Sequence, residues 1–145
     1  MKIYADTSFL FSLYAVDVNS ARADAWRLAN PAPLPFTGFH RLEFRNALSL
    51  AVFQQRLTST EVQAVWQEVE NDVAAGLLVG RGGLWHRVLV EAEISAINHT
   101  PIVGCRTLDV LHVATAKLLG ATEFCSFDTR QSTLAGRIGL TAVSL

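Results

Sequence analysis

The 145-residue chain has few charged residues, only two cysteines and no long apolar segment. Charged residues make up 17% of the chain and hydrophobic residues 50%, a composition that excludes intrinsic disorder because such a chain must collapse. Cys105 and Cys125 form no C-x-x-C pair, so neither a zinc site nor a disulfide framework is indicated. No charge-free segment approaches the ~20 apolar residues that a membrane helix requires. We expect a soluble, cytoplasmic, single domain over residues 1–145, with no membrane contact.

The basic residues are few, and nearly all of them are arginine. The net charge is −1, which excludes a global positive field that would hold nucleic acid non-specifically. Lys2 and Lys117 are the only lysines among twelve basic residues. The chain also lacks the G-x-S-x-G, P-loop and G-x-G-x-x-G patterns. Their absence removes the commonest hydrolase and nucleotide-binding fingerprints.

Short apolar runs alternate along the chain with segments of helical periodicity. A capping box is predicted at Thr60–Gln63, and Gly120 is predicted to end a helix. This alternation predicts an α/β domain with a small, mainly parallel central sheet. Strands are predicted at residues 2–6, 34–37, 77–79, 123–127 and 140–144, and helices at residues 7–16, 20–30, 39–55, 60–76, 84–98, 107–119 and 129–137.

Two aspartates, Asp6 and Asp128, close predicted strands. Ligands of an open parallel sheet bind beyond the carboxyl ends of its strands, so the two carboxylates would share one cleft if their strands are neighbours. Carboxylates held close together repel each other unless a cation lies between them, and hard oxygen ligands suit Mg²⁺ or Mn²⁺. An aspartate after a strand is also a common N-cap of the next helix, and Asp128 before Thr129 fits that interpretation as well.

Two further acids, Asp109 and Glu43, lie in unusually apolar helical segments. From Leu108 to Ala116 the only polar residues are Asp109, His112 and Thr115, which are spaced three apart. An acidic side chain among apolar residues is costly to bury unless a partner compensates its charge, and a metal ion is one such partner. The alternative is a helix with one narrow solvated stripe. For His112, packing or hydrogen bonding is favoured over a role as general base.

Three blocks of sequence resemble the PIN-domain nucleases, especially the VapC-like toxins of bacterial toxin–antitoxin pairs. The blocks are YADTS (residues 4–8), EFRNAL (residues 43–48) and TLDVLHVATAKLLGATEFCSFDTRQSTLAGRIGLTAV (residues 107–143). The resemblance implies a three-layer α/β/α fold and a metal-dependent endoribonuclease that acts on tRNA, rRNA or mRNA. It also implies a cognate antitoxin and a homodimer.

The resemblance assigns a role to residues that match the family's motifs. Asp6, Asp109 and Asp128 would anchor Mg²⁺ or Mn²⁺, and Glu43 would be a further ligand or a base that orients water. After Asp128 this chain has Thr-Arg where many relatives place another acid, so one metal or two stays open. The hydroxyls beside the metal would be those of Thr7 or Ser8 and of Ser126. Arg106 and Arg130, which adjoin Asp109 and Asp128 in the sequence, are candidates for phosphate contact.

Other functions are weighed against the toxin. A haloacid-type phosphatase needs a second aspartate where Ser8 stands, and a receiver domain needs an acidic pair beside the first strand. A PIN-type housekeeping RNA-processing nuclease and a non-catalytic PIN-like binding module remain as alternatives. An intact set of four acids argues against the binding module, because a scaffold has no physical need for clustered negative charge.

Overall fold

The computed structural model describes residues 2–145, which divide into two compact units. The first unit consists of residues 2–6 and 82–145, and the second unit consists of residues 7–81. In chain order the elements are β1 (Ile3–Ala5), α1 (Thr7–Tyr14), α2 (Ser20–Ala29), β2 (Leu34–Thr37), α3 (Gly38–Phe53), α4 (Ser59–Ala74), β3 (Leu78–Arg81), α5 (Trp85–Val103), α6 (Thr107–Leu118), β4 (Glu123–Cys125), α7 (Thr129–Arg137) and β5 (Thr141–Ala142).

The first unit contains a three-stranded parallel sheet with the strand order β1-β4-β5. All three residues of β1 are buried, as is typical of parallel strands that are covered on both faces. Tyr4 is paired with Phe124, and their rings stack at 5.7 Å. The backbone N–H of Asp6 donates to the carbonyl of Cys125 (3.0 Å), which continues the pairing past the end of β1. This bond places Asp6 at the carboxyl end of the sheet.

Helix α6 is the most deeply buried helix of the first unit, with every residue from Asp109 to Ala116 buried. Several of these residues are small, which lets α5 and α7 pack closely against it. His112 is 1% exposed, and its Nδ1 lies 2.8 Å from the Tyr4 hydroxyl. The expected packing and hydrogen-bonding role of His112 is therefore the one observed. The chain leaves α6 through Gly120, whose φ of 73° is easily reached only by glycine.

The second unit combines the two-stranded parallel sheet β2-β3 with four helices. Its core is aromatic, and Phe44 on α3 is fully buried at the centre of it. The Phe44 ring lies 5.9 Å from Phe11, 6.2 Å from Tyr14 and 6.1 Å from Trp66, measured between centroids. This cluster holds α1, α3 and α4 together.

The α/β class and the parallel pairing are confirmed, while some predicted boundaries are wrong. Helix α4 begins one residue early, so its capping box is Thr58 with Glu61, and Thr60–Gln63 lies inside the helix. Helix α5 continues through Pro101 to Gly104, where a φ of 72° ends it. Gly80 and Arg81, predicted as loop, pair with β2 and belong to β3. No helix within residues 2–145 is both long and apolar enough to cross a membrane.

Candidate active site

A hydroxyl links two of the predicted site aspartates at the carboxyl end of the first unit's sheet. Asp6 follows β1 and Ser126 follows β4, and these two strands are parallel neighbours. The Ser126 hydroxyl donates to Asp6 Oδ2 at 2.7 Å and accepts from the backbone N–H of Asp128 at 2.9 Å. The carboxylate of Asp6 is thus held in place by the same hydroxyl that fixes the start of α7.

The two oxygens of Asp128 make different contacts. Oδ1 accepts from the backbone N–H groups of Arg130 (2.8 Å) and Gln131 (3.3 Å), so Asp128 is the N-cap of α7, as one interpretation of the sequence held. Oδ2 instead faces two guanidinium groups, at 3.7 Å from Arg106 Nη2 and 3.5 Å from Arg130 Nη2. Capping therefore leaves one carboxylate oxygen directed at cationic groups.

Asp109, on the first turn of α6, is tied to the same cluster. Its side chain is 4% exposed. Oδ2 accepts from the backbone N–H of Arg106 (2.9 Å) and lies 3.5 Å from Arg106 Nε, while Oδ1 accepts from Gln131 Nε2 (3.2 Å). The guanidinium of Arg106 consequently touches both Asp109 and Asp128. A single positive group thus bridges two carboxylates, as expected where negative charges converge.

The pKa values of the two cysteines near these acids are raised, by burial and by the acids' negative charge. Burial raises the pKa of Cys105, and the negative charges of Asp109 and Asp128 raise it further. Burial likewise raises the pKa of Cys125, with an added contribution from the charge of Asp6. Both thiolates are disfavoured, so neither cysteine is set up as a nucleophile or a metal ligand.

Comparison with solved structures identifies the fold. No family model and no curated protein matches the sequence. The chain superimposes on FitAcB from Neisseria gonorrhoeae (17% identity, TM-score 0.64, 98% of this chain and 96% of that chain). It also superimposes on VapC20 from Mycobacterium tuberculosis, a toxin that cleaves the sarcin–ricin loop (16% identity, TM-score 0.69, 91% and 94%). A protein of Pyrobaculum aerophilum matches at 17% identity with a TM-score of 0.61, over 99% and 90% of the two chains.

The chain has the PIN-domain fold. The VapC-like resemblance found in the sequence is confirmed at the level of the fold. At 16–17% identity the similarity covers the backbone arrangement and does not by itself assign a reaction.

The PIN fold divides the predicted site residues between the two units. Asp6, Asp109, Asp128, Ser126, Arg106 and Arg130 form the contact network of the first unit. Glu43 lies half-buried on α3, next to the core residue Phe44. Thr7, which is buried, and Ser8, which is half-buried, begin α1 directly after Asp6. The functional assignment of all these residues stays a prediction, and for Glu43, Thr7 and Ser8 so does their place in the network.

The donor chemistry of the network fits a hard divalent cation. Carboxylate oxygens are the ligands that Mg²⁺ and Mn²⁺ prefer. Within residues 2–145, no group of three or more His, Cys, Asp or Glu side chains is placed so that it could hold a metal ion. Arg106 lies between two of the carboxylates, and its side chain is 68% exposed. The fit to a cation is therefore one of oxygen chemistry, and the Arg106 guanidinium balances two of the three carboxylate charges.

Gln131 is a member of the network that sequence reasoning missed. It is 6% exposed and contacts Asp109 through Nε2 and Asp128 through its backbone N–H. A glutamine on a short polar helix is ordinarily solvated, so composition and periodicity gave no reason to single it out. The one signal for its place in the network is that it lies three residues after Asp128. Residues in the first turn of a capped helix lie close to the capping side chain.

Paired substitutions of Asp128 separate its capping role from its charge. Asp128→Ala removes the cap of α7 and is expected to lower the free energy of unfolding by about 1 kcal/mol relative to Asp128→Asn, since asparagine caps as well as aspartate. Both variants remove the negative charge, so their difference isolates the cap. Urea denaturation measures it. Equal stability of the two variants would contradict the capping role.

Proposed function

We propose that the chain is a Mg²⁺- or Mn²⁺-dependent endoribonuclease that hydrolyses RNA phosphodiester bonds as the toxin of a toxin–antitoxin pair. The observation that carries the proposal is the joining of Asp6, Asp109 and Asp128 into one hydrogen-bonded network at the carboxyl end of a parallel sheet. The PIN fold shared with VapC20, a toxin that cleaves the sarcin–ricin loop, supports the same reaction class.

Three aspartates would hold the cation, with Glu43 as a fourth ligand or as a base that orients water. Asp6 and Asp109 are almost completely buried, and buried carboxylates are stable only when a cation or several donors compensate their charge. The Arg106 side chain touches two of the carboxylates from a largely exposed position, so it can withdraw to solvent when a divalent ion replaces it. The stoichiometry of a Mn²⁺ titration distinguishes one bound ion from two.

The chemistry requires stabilisation of negative charge on the reacting phosphate and a deprotonated water, both of which a bound divalent cation supplies. The chain's own residues provide the geometry. Ser126 fixes the orientation of the Asp6 carboxylate, and the α7 cap fixes Asp128. Arg106 and Arg130 lie beside Asp128 and are suited to bidentate phosphate contacts.

RNA recognition is expected to be local. With a net charge of −1, the protein has no bulk attraction for nucleic acid, so affinity must come from a few arginines and the shape of the target. A structured loop presents such a shape, which tRNA, rRNA and some mRNA segments share. We therefore expect cleavage at one or a few positions.

The proposal is tested by incubating the purified chain with a mixed pool of tRNA and rRNA in Mn²⁺, with and without excess EDTA. Discrete products that appear only without EDTA are the expected result, because cleavage needs the cation and a specific target. Products that persist in EDTA would contradict metal dependence. Absence of cleavage in both conditions would contradict the nuclease and favour a PIN-like binding module.

Ser126 offers a more selective test of the same network. Ser126→Ala removes the hydroxyl that joins Asp6 to the start of α7, and RNA cleavage is expected to fall by about 10- to 100-fold, as for other groups that orient a metal ligand. Ser126→Thr retains the hydroxyl and serves as the matched control, with activity near that of the parent. Comparable activity of the alanine variant and the parent would contradict a role for this hydroxyl.

A cognate antitoxin, a homodimer and a cytoplasmic location belong to the same proposal. VapC20 is described as a toxin, and a toxin needs a partner that silences it. Helix α5 exposes Val90, Ile94 and Ile97 by 47–69%, an apolar surface of the kind that protein partners cover. The free thiols of Cys105 and Cys125 fit a reducing compartment. Light scattering of the purified chain is expected to give the mass of a dimer, and a monomer mass would contradict that part.

A further inference from the structure

The Gln131 side chain has a buried acceptor that no described group satisfies. The residue is 94% buried, since 6% of it is exposed. Its Nε2 donates to Asp109 Oδ1 at 3.2 Å, whereas Oε1 has no hydrogen-bond partner among residues 2–145. Buried polar atoms are nearly always paired, so an unpaired carbonyl oxygen on a residue that contacts two aspartates calls for a physical reason.

The orientation of this amide is fixed by its neighbour. An ionised carboxylate can only accept hydrogen bonds, so the atom of Gln131 that faces Asp109 must be the NH₂ group. The amide oxygen is bonded to the same carbon as Nε2, so it is buried one side-chain group away from the Asp109 carboxylate. The negative end of a buried carbonyl dipole is unfavourable unless a positive charge or a donor faces it. The backbone N–H of Gln131 is already engaged by Asp128 Oδ1, so the residue is held at two points.

We propose that the Gln131 side-chain carbonyl is an oxygen donor of the divalent-cation site, an assignment that rests on the proposed function. Amide carbonyl oxygens are ordinary ligands of hard cations, and they also accept from water that such cations hold. The two ends of the amide then have separate roles. Nε2 positions the Asp109 carboxylate, and Oε1 supplies a neutral oxygen next to it. Gln131 adds an oxygen donor to the cluster without adding another negative charge.

The test is a calorimetric titration of Mn²⁺ into the full-length, metal-stripped protein and three glutamine variants. Gln131→Met keeps the length of the side chain and removes the oxygen, and it is expected to weaken Mn²⁺ binding at least about tenfold. Gln131→Glu retains Oε1 but cannot donate to Asp109, and it is expected to bind at least as tightly as the parent. Gln63→Met, on the exposed face of α4, is the matched control and should bind unchanged.

The outcomes separate this assignment from the proposed function. Unchanged affinity in Gln131→Met would overturn the assignment while leaving the cation site in place. Equal weakness of Gln131→Glu and Gln131→Met would show that only the Nε2 contact matters, which also overturns it. If the parent protein binds no Mn²⁺, the proposed function fails and the assignment fails with it. Thermal melts of each variant, with and without Mn²⁺, confirm folding and provide a second readout, because bound cation raises Tm.

Discussion

Asp6→Asn is expected to lower Mn²⁺-dependent RNA cleavage by at least about 100-fold, since even groups that only orient a metal ligand cost up to that much. Asp6 is fully buried, and its carboxylate accepts from Ser126 at 2.7 Å. Asparagine has nearly the same shape and keeps an acceptor oxygen, so the fold is retained while the charge that attracts the cation is lost. The measurement is kcat/KM on an RNA that the parent protein cleaves.

Asp24→Asn is the matched control for this prediction. Asp24 lies exposed on α2, and its substitution makes the same change in net charge far from the network in sequence. Cleavage by the control is expected to stay near that of the parent. If Asp6→Asn keeps more than half of the parent activity while Mn²⁺ remains necessary, the three-aspartate site is wrong.

Phe44→Ala is expected to produce the largest loss of stability among single substitutions in the second unit, about 3–5 kcal/mol for a fully buried phenylalanine. Its ring contacts aromatic side chains from α1 and α4, so truncation leaves a cavity that three helices would have to close. Against a typical total stability of about 5–15 kcal/mol, such a loss leaves the protein marginal. Urea denaturation monitored by circular dichroism gives the value.

Leu42→Ala, two residues away on the same helix, provides the comparison. Leu42 is 70% exposed, so its truncation is expected to change the free energy of unfolding by no more than about 0.5 kcal/mol. A similar loss in both variants would mean that the α3 face carrying Phe44 is not the buried one. The pair thus tests the packing of the helix that carries Glu43.

The sequence predicts the α/β class and most elements because short apolar runs between periodic helices leave few alternatives. It also predicts that Asp6 and Asp128 end strands, and the parallel pairing of β1 with β4 places both at one edge of the sheet. Their role as cation ligands stays a prediction, as does the role of Glu43. For Asp109 the sequence leaves two alternatives, a buried acid or a narrow solvated stripe, and the structure shows that the residue is buried.

Other features depend on contacts that no local pattern reports. The capping box at Thr58 lies two residues before the predicted one, because two overlapping Thr-x-x-Glu/Gln patterns compete and the helix starts at Ser59. Arg106 bridges Asp109 and Asp128 only because α6 and α7 pack together. Gln131 joins the cluster for the same reason, and a side chain of that type has no sequence signature of burial.

The most direct test of the central claim, that Asp6, Asp109 and Asp128 hold a divalent cation, is a calorimetric titration of Mn²⁺ into the parent protein and Asp6→Asn. A saturable binding isotherm is expected for the parent, with a stoichiometry that counts the ions, and it is expected to be lost in Asp6→Asn. Identical isotherms for the two proteins, or no binding by the parent, would contradict it.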